Sequence, residues 1–572
     1  MQADHNSSFN TEFDPRTGGY DPRRGILHLT VGIPSSYRKV PAEDTRPPSR
    51  WTTPEFVLYY VMAAVVIPVM VWIPTTLSSP SHPNYPLFQR RLSAGWLFGR
   101  RVDNSDAQFR SFRSNIPYLL LVVGAFVALK AVYTRSLRFS STNSTHYIPF
   151  YLVFSALFLL GLHGASALKI LVILFVNYVI GKNSKGAKWG PVLTWLFNGG
   201  VLFANEWNGG YRFGAIHPSL EVLDTFYGIY PRWHLSFNIT MLRLVSFNMD
   251  HHWAHRRFGP RDVSAVLDEK ERSRTPHSLE TYSFDNYIAY VLYPPLYIAG
   301  PIMTFNDFMW QIRRPVLLPW RAVVSYAARF LACLLTMETI LHFMYVVAIK
   351  DSKAWTGPSP YTPAQLALVG LWNLIVVWLK LLLPWRFFRL WALVDGIDPP
   401  ENMVRCVANN YSPLGFWRSW HRSYNLWIVR YIYVPLGGAN NAVLTTVIVF
   451  TFVALWHDLS FKLLAWGWLV SLFIIPELFL GRYLGEKQFG TAYWYRHLCA
   501  VGAVGNILTM MAANLVGFVI GLEGTSYIFK ELFASVAGVQ FLIAACICLF
   551  VAAQLMFEYR EEEMRRGIYR RC

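Results

Sequence analysis

Long apolar stretches separated by short polar segments make up most of this 572-residue chain. An α-helix needs about 20 mainly apolar residues to cross a bilayer, and stretches close to that length recur throughout. They predict membrane spans at residues 56–73, 116–133, 148–162, 166–180, 191–204, 323–349, 364–383, 442–456, 461–480, 500–521 and 536–557. The pattern therefore predicts an all-α polytopic membrane protein.

Two further apolar segments do not fit simple spans. Residues 232–253 are apolar at helical spacing but too polar to cross alone, which predicts a helix buried against other helices or lying in the membrane interface. Residues 287–308 contain a Pro-Pro and a Gly-Pro pair inside an apolar run. Such breaks free backbone polar groups, which a membrane tolerates only where protein or a water-filled cavity satisfies them. This segment is either a cavity wall or a proline-kinked packing helix.

Composition supports this class and limits the partners. Apolar residues make up 53% of the chain and charged residues only 15%, less charge than soluble proteins usually carry. The net charge of +18 lies mostly in the loops. It suits the anionic headgroups of membrane lipids, or an anionic substrate such as a coenzyme A ester or a phospholipid. Because the basic residues are interleaved with the spans, we expect no nucleic-acid partner.

The two ends of the chain differ from its middle. Residues 1–50 are polar, rich in Pro, Arg and Gly, and lack the apolar core of a signal peptide. They predict a disordered tail. The transmembrane domain is expected over residues 51–557 and a charged C-terminal tail over residues 558–572.

Loop charges and one short motif give weaker predictions. Three lysines within residues 182–188 place that loop on the cytosolic side by the positive-inside rule. Counting spans makes the loop at residues 135–146 cytosolic too, yet that loop carries an N-glycosylation sequon at Asn143. The motif DNSDAQFRSFR at residues 103–113 predicts a capped helix start with basic anchors.

Residues 412–460 hold the densest set of candidate functional side chains. Ser412-Pro413 is a helix start signal. Helical spacing then predicts a single stripe made of Trp417, Trp420, His421, Tyr424, Trp427, Ile428, Tyr431 and Ile432. His421 should therefore lie inside an aromatic wall, with Arg418, Arg422 and Asn425 away from that stripe.

A second histidine, His457, ends an apolar run at residues 442–456. At 1.5 Å per residue that run spans about 22 Å, short of the roughly 30 Å hydrocarbon core. His457 should therefore lie below the membrane surface, where ionisable residues are functional candidates. A helix-end histidine that donates to backbone carbonyls is the alternative.

Three late motifs together resemble the membrane-bound O-acyltransferase family. They are RLWALVDGIDPPENMVRC at 389–406, SPLGFWRSWHRSYNLWIVRYIYVPLGG at 412–438 and ALWHD at 454–458, all within a candidate catalytic region at 385–460. The segments YPPLYIAGPIMTFNDF and DNSDAQFRSFR are similar to the fungal glycerol-uptake branch of that family, which is related to the hedgehog acyltransferases. The resemblance extends from near Trp96 to the end of the chain.

The resemblance implies a bundle of about 10–12 transmembrane helices around a central tunnel. Acyl-CoA reaches such a tunnel from the cytosolic side, and a hydroxyl or amine acceptor reaches it from the other side. The family's catalytic histidine corresponds to His457, and its second catalytic position to His421. In the fungal branch the implied reaction adds a long fatty acyl chain to a lyso-lipid during remodelling of glycosylphosphatidylinositol (GPI) anchors. The implied location is the endoplasmic reticulum membrane, with the plasma membrane as an alternative.

The two histidines also suit acyl transfer on chemical grounds. A thioester is already activated, so the difficult steps are removing the acceptor's proton and stabilising the tetrahedral oxyanion. A histidine that burial keeps neutral can accept that proton near neutral pH. His421 would orient the acceptor, bind the thioester carbonyl or hold His457 in one tautomer, and simple packing in the aromatic stripe is its alternative.

The neighbouring candidates for substrate binding are Trp420, Tyr424, Asn425, Arg418, Arg422, Trp456 and Asp458. Arg418 and Arg422 suit the phosphates of coenzyme A or of a lipid headgroup, and interfacial anchoring is equally compatible. Asp458 would orient or cap the turn, or start the following helix. In hedgehog-type relatives the cysteine that corresponds to Cys406 holds a haem iron through its thiolate, so Cys406 is a candidate haem ligand.

Two other functions share parts of this pattern. A transporter of glycerol or another polyol is expected to show two related halves with matching broken helices. This chain has one broken segment, near Pro294, and no internal repeat, and its candidate chemistry clusters between Asp395 and His457. A hedgehog-type protein acyltransferase would use the same catalytic residues, so the sequence does not distinguish a lipid acceptor from a protein acceptor.

Overall fold

The computed structural model describes residues 47–137, 143–256, 267–316, 318–490 and 492–570. Within these ranges the regular structure is helical apart from one antiparallel ribbon, in which β1 (Leu92–Ala94) pairs with β2 (Arg101–Asp103). The all-α fold predicted from the sequence is confirmed. Most of the predicted disordered tail, residues 1–46, lies outside the described part of the chain.

The helices follow one another through mostly short connections. In the first half they are α1 (Pro54–Leu77), α2 (Tyr85–Phe88), α3 (Ala107–Leu137), α4 (Ile148–His163), α5 (Ser166–Ser184), α6 (Trp189–Trp207), α7 (Phe213–Ile216), α8 (Trp233–Arg256), α9 (Glu269–Arg274), α10 (Phe284–Val291), α11 (Pro294–Tyr297) and α12 (Phe305–Arg313). In the second half they are α13 (Trp320–Phe343), α14 (Val346–Asp351), α15 (Pro363–Asp395), α16 (Pro413–Ser419), α17 (Arg422–Ile428), α18 (Ala442–His457), α19 (Phe461–Tyr483), α20 (Glu486–Phe489), α21 (Tyr495–Asn514), α22 (Gly521–Phe533) and α23 (Val536–Arg565).

Ten of the described helices are long and apolar enough to cross a membrane. They are α1, α3, α4, α5, α13, α15, α18, α19, α21 and α23. Each of them overlaps a span predicted from the sequence. The remaining predicted span, at residues 191–204, falls on α6, which has a buried polar face made of Thr194, Asn198 and Asn205. That face packs against α8, where Asn248 donates to the Thr194 hydroxyl at 3.2 Å.

The helix predicted at residues 232–253 is α8, and it is buried against other helices. Every residue from Thr240 to His252 is buried, and α8 packs against α5 and α6. At 1.5 Å per residue, its 24 residues extend for about 36 Å. Trp233 and Arg256 therefore lie at opposite ends of the helical bundle.

The proline-containing segment is broken as predicted, into α10, α11 and α12. The buried Arg243 of α8 donates to the carbonyl of Val291 at 2.8 Å and also to the carbonyl of Leu296. Farther along, the Ile302 N–H donates to Ser423 Oγ at 2.8 Å. Side chains of neighbouring elements thus satisfy backbone groups that the break leaves free.

The motif at residues 103–113 starts a helix as predicted, but one of its cations is internal. Asp106 caps α3 by accepting from the Phe109 N–H at 2.8 Å. Arg113 forms an ion pair with Glu338 of α13 at 2.6 Å. This arginine therefore ties two helices together instead of anchoring at the membrane surface.

The C-terminal region contains two features that the sequence did not predict. An additional helix, α22, precedes α23, and α23 continues to Arg565 through the start of the predicted charged tail. Within that extension, Glu563 forms an ion pair with Arg405 at 2.7 Å. The charged extension thereby packs against the loop that carries Cys406.

Candidate active site

The single helix predicted from Ser412 onward is interrupted at its centre. Helices α16 and α17 are separated by Trp420, which is extended, and by His421, which has a left-handed backbone with φ +45°. The prediction of one continuous helical stripe is therefore wrong.

A neighbouring loop accounts for the interruption. The backbone carbonyl of Asn402 accepts from the Arg422 N–H at 3.0 Å, and its side-chain oxygen accepts from the Ser423 N–H at 3.1 Å. Trp420 forms an isolated β-bridge with Met403 of the same loop. These hydrogen bonds occupy the backbone groups that a continuous helix would have used.

His421 lies in an aromatic wall, as predicted, although several elements build that wall. Trp385 of α15 stacks on its ring, with the ring centroids 4.7 Å apart and the planes 19° apart. The rings of Tyr424 and Trp456 lie 5.2 and 6.5 Å from it. Burial, with a further contribution from His457, lowers the pKa of His421 to about 3, so its imidazole is neutral at physiological pH.

His457 is the last residue of α18. Its ring centroid lies 4.8 Å from that of Trp456 and 6.5 Å from that of Trp466. Trp456 Nε1 donates to the Asn238 carbonyl of α8 at 2.9 Å, and Asn238 Nδ2 donates to the Trp456 carbonyl at 3.1 Å. This reciprocal pair fixes the end of α18 against α8 and thereby positions His457.

A cavity of about 1750 Å³ lies between these helices, and both His421 and His457 border it. Its apolar and aromatic walls include Trp385, Trp417, Tyr424, Phe450, Trp466, Ile474 and Phe518. The broken segment contributes Ile298, Gly300 and Ile302, which confirms the prediction of a cavity wall there. The space is larger than a typical small-ligand pocket of about 300–1,000 Å³.

One part of the cavity is lined by charged side chains, and we call it the charged mouth. It consists of Asp268, which is the N-cap of α9, of Glu269, Lys270 and Arg274 within α9, and of Arg418 and Arg422. Arg422 forms an ion pair with Glu269 at 3.1 Å, whereas the Arg418 and Lys270 side chains are exposed. Cations outnumber acids here, so the charged mouth suits an anionic ligand.

The remaining predicted site residues divide into two groups. Trp420, Asn425 and Trp456 border the cavity together with Tyr424. Asp458, in contrast, is an exposed residue at the C-cap of α18 and lies outside the cavity lining.

Sequence reasoning missed two side chains of the site, Trp385 and Glu269. Trp385 stacks on His421 because α15 packs beside the break between α16 and α17. Glu269 reaches Arg422 because α9 folds back over the cavity. Neither contact leaves a signal in local spacing, since both join segments that are distant in sequence.

Cys406 lies in the loop that follows α15, and it is not among the described residues that border the cavity. Burial raises the pKa of its thiol, which disfavours the thiolate that a haem iron would need. The nearby Cys333 Sγ accepts from Arg386 at 3.0 Å. The described surroundings of Cys406 therefore do not favour haem, and no step of the reaction is assigned to it.

Comparison with known proteins gives consistent matches. The model of MBOAT, the membrane-bound O-acyltransferase family, matches residues 222–522. Membrane-bound O-acyltransferase GUP1 of Saccharomyces cerevisiae is 46% identical over 562 residues, which cover 96% of this chain and 98% of that protein. Membrane-bound O-acyltransferase gup1 of Schizosaccharomyces pombe is 41% identical over 558 residues, covering 94% of each chain. Protein-cysteine N-palmitoyltransferase HHAT of Mus musculus is 30% identical over 196 residues, covering 33% of this chain and 38% of that protein.

These matches agree with the cavity and its surroundings. The family model includes both histidines, the broken segment and the charged mouth. The two fungal relatives extend over nearly the whole chain, and therefore over its membrane-spanning helices. This chain belongs to the membrane-bound O-acyltransferase family and is a multi-pass membrane acyltransferase.

Proposed function

We propose that this protein transfers a long-chain fatty acyl group from acyl-CoA to a hydroxyl group of a lyso-lipid, with lyso-GPI as the acceptor. The observation that carries the proposal is a single large cavity, mostly apolar, that is bordered by two histidines and by the charged mouth. An acyl chain suits the apolar walls, and the phosphates of coenzyme A suit the cations. The reaction would remodel GPI anchors in the endoplasmic reticulum membrane.

His457 is the proposed general base. It takes the proton of the acceptor hydroxyl as the oxygen attacks the thioester carbon, which forms the C–O bond and a tetrahedral oxyanion. Collapse of this intermediate breaks the C–S bond and releases coenzyme A as a thiolate. The thiolate then takes the proton from the imidazolium, so His457 returns to its neutral form and the products are an ester and a free thiol.

His421 is proposed to orient the reacting groups beside His457. A neutral imidazole has one N–H, which can donate to the thioester carbonyl oxygen as negative charge develops there. Stacking on Trp385 and the fixed left-handed backbone restrict the ring to one orientation. Trp456, whose ring neighbours both histidines, would keep them at a constant separation.

The remaining cavity residues are proposed to hold the donor. Arg418 and Arg422 would bind phosphates of coenzyme A, with Arg422 released from Glu269 when the donor arrives. Trp420, Tyr424, Asn425 and Trp456 would contact the thioester and the first part of the acyl chain.

The alternatives differ in the acceptor or in the reaction class. A protein acceptor is supported by the shorter match to a protein-cysteine N-palmitoyltransferase. The longer matches are to proteins named O-acyltransferases, which favours a hydroxyl acceptor. A polyol transporter is supported less, because the cations of the charged mouth have no role toward a neutral polyol.

Purified protein in lipid nanodiscs tests the proposal. With a long-chain acyl-CoA and lyso-GPI or lyso-phosphatidylinositol, we expect an acylated lipid by mass spectrometry and an equal amount of released thiol. His457→Ala should abolish both signals, whereas His497→Ala, which lies outside the cavity lining, should retain them. Acylation of an N-terminal cysteine peptide with no lipid product would assign a protein acceptor instead. Polyol flux in proteoliposomes without acyl-CoA would assign a transporter.

A further inference from the structure

Residues 207–230, which connect α6 to α8, expose an unusual number of apolar side chains, and we call this segment the collar. The most exposed are Trp207 at 86%, Ile229 at 83%, Tyr227 at 77% and Phe226 at 63%, followed by Val222 and Ile216. The collar belongs to none of the candidate membrane spans. Strong apolar exposure within one short segment outside the spans indicates a surface that another molecule covers.

Hydrogen bonds nevertheless hold the collar in a defined conformation. Asp224 accepts from the Phe213 and Gly214 N–H groups, both at 2.9 Å. Lys169 of α5 donates to the Tyr211 carbonyl at 2.6 Å. These hydrogen bonds hold the collar in place while its large apolar side chains face outward, an arrangement suited to an apolar neighbour.

Backbone hydrogen bonds fix the collar at the turn between α4 and α5. The Ala165 N–H donates to the Phe226 carbonyl at 2.8 Å, and the Ile229 N–H donates to the Gly161 carbonyl at 3.0 Å. Gly164 has φ +56°, and a Cβ there would come within 2.2 Å of the Phe226 carbonyl. Both helices are candidate spans, so their turn marks one surface of the membrane. The collar therefore lies at the level of the lipid headgroups and the outer acyl chains.

The collar also borders the cavity. Ile229 and Tyr230 contribute to its lining, beside Leu162 of α4, Arg232 and Ser236. The collar directly precedes α8 in the chain, whereas α9 follows the other end of that helix. Because α8 extends for about 36 Å, the collar flanks the end of the cavity opposite the charged mouth.

The end occupied by the collar is opposite the lysine-rich loop at residues 182–188. Arg256, at the last turn of α8, donates to the Gly186 carbonyl of that loop at 3.0 Å. The positive-inside rule assigns the loop to the cytosolic face, so the collar faces the non-cytosolic leaflet.

We infer that the collar is seated in the non-cytosolic leaflet, beside the end of the cavity that the family resemblance assigns to the acceptor. The partner of the collar is thus a lipid surface. This inference deepens the proposed function and rests on it for the reaction. The seating of the collar in lipid is testable without any activity.

Photo-crosslinking tests the seating. Tyr227 is replaced by p-benzoylphenylalanine in the full chain, which is reconstituted into vesicles containing an alkyne-tagged phosphatidylcholine. We expect lipid adducts at this position, and far fewer at a matched replacement of the exposed, charged-loop residue Glu280. Equal, low labelling at both positions would overturn the seating, whether or not acyl transfer has been detected.

Kinetics test the route of the acceptor. Tyr227→Ser and Ile229→Ser together should raise KM for a lyso-lipid in vesicles by about tenfold, while KM for acyl-CoA and the melting temperature stay unchanged. Tyr493→Ser is the matched control, because Tyr493 is 90% exposed and does not border the cavity. An unchanged lyso-lipid KM in the collar variant would overturn the route, and so would an equal loss with a short-chain, water-soluble acceptor. If the wild-type protein acylates no lyso-lipid at all, the proposed function fails, and crosslinking still decides the seating.

Discussion

His421 combines a rare backbone conformation with a functional position. Non-glycine residues seldom have φ near +45°, and such strain persists only where the surroundings impose it. Here Asn402 holds the following backbone groups, and Trp385 covers the ring. The sequence predicted that His421 would lie among aromatic rings, because tryptophan and tyrosine are dense around it. The sequence could not predict the left-handed backbone of His421, because Asn402, which imposes it, lies about 20 residues away in the chain.

The position of His457 at a helix end was predictable from one apolar run, because the run stops at Trp456 and α18 ends at His457. Its depth stays a prediction, since residues 438–457 together are long and apolar enough to cross a membrane. The anchoring of that helix end through Asn238 was not predictable, because it needs the packing of α8 against α18.

If the two histidines form one catalytic unit, their removal should be strongly non-additive. Loss of a general base typically lowers the rate by about 10²–10⁴, so His457→Ala should fall in that range. His421→Ala alone should lose nearly as much, and the double variant little more than either single one. The measurement is kcat for all three purified variants, with melting temperatures to show that each is folded. Multiplied losses in the double variant would mean that His421 only packs against Trp385.

Among the structural elements, the broken segment between α10 and α12 contributes most to the shape of the cavity. Its break was visible in the sequence, because two consecutive prolines remove two backbone donors. The partner that compensates was not visible, since Arg243 lies in a different helix. Within the described residues Arg243 forms no ion pair with a carboxylate, and its guanidinium donates to backbone carbonyls. One signal in the sequence could have linked Arg243 to the broken segment. An arginine inside an apolar helix needs buried acceptors, and a broken helix leaves backbone carbonyls without donors.

Arg243→Met should destabilise the protein and lower kcat/KM. Each buried carbonyl that loses its donor costs about 1–3 kcal/mol, only part of which is recovered by removing a buried charge. Arg243→Lys should give an intermediate result, because a lysine donates from a single nitrogen. Arg135→Met, at an exposed position near the end of α3, is the control. Melting temperature and kcat/KM in nanodiscs are the readouts, and wild-type values for Arg243→Met would show that the wall is maintained without this arginine.

At the scale of the whole molecule, the antiparallel pair of α4 and α5 places two conflicting topological signals of the sequence on one face. These helices join through a two-residue turn, so the start of α4 and the end of α5 lie at the same end of the bundle. Asn143 and the lysine-rich loop therefore share one face, as counting spans predicted. Their opposite topological signals cannot both be valid, and the seating proposed for the collar follows the positive-inside rule, which predicts that this face is cytosolic.

Ten of the eleven predicted spans, and their order, followed from hydrophobicity, but the polarity of the cavity did not. The charged mouth assembles from α9, α16 and α17, and the collar from the segment before α8. These elements are short and partly polar, so they carry no strong periodic signal. Only their packing places cations at one end of the cavity and exposed aromatic side chains at the other.

This separation of charge predicts that donor binding depends on salt whereas acceptor binding does not. Coenzyme A is polyanionic, and the Debye length falls from about 10 Å at 0.1 M salt to about 3 Å at 1 M. KM for acyl-CoA should therefore rise steadily with salt concentration. KM for a neutral lyso-lipid analogue, measured on the same protein in nanodiscs, should change little because its contacts are apolar.

Two substitutions in the charged mouth should move the donor KM in opposite directions. Arg418→Gln removes an exposed cation, so it should raise KM for acyl-CoA several-fold and flatten its salt dependence. Glu269→Gln removes the ion pair of Arg422 and should lower KM for acyl-CoA. The Arg422 guanidinium can then bind a phosphate without first breaking its contact with a carboxylate. Arg212→Gln, in the collar at the other end of the cavity, is the control and should leave the donor KM unchanged. A donor KM that is insensitive to salt and to both substitutions would show that these arginines serve only as membrane anchors.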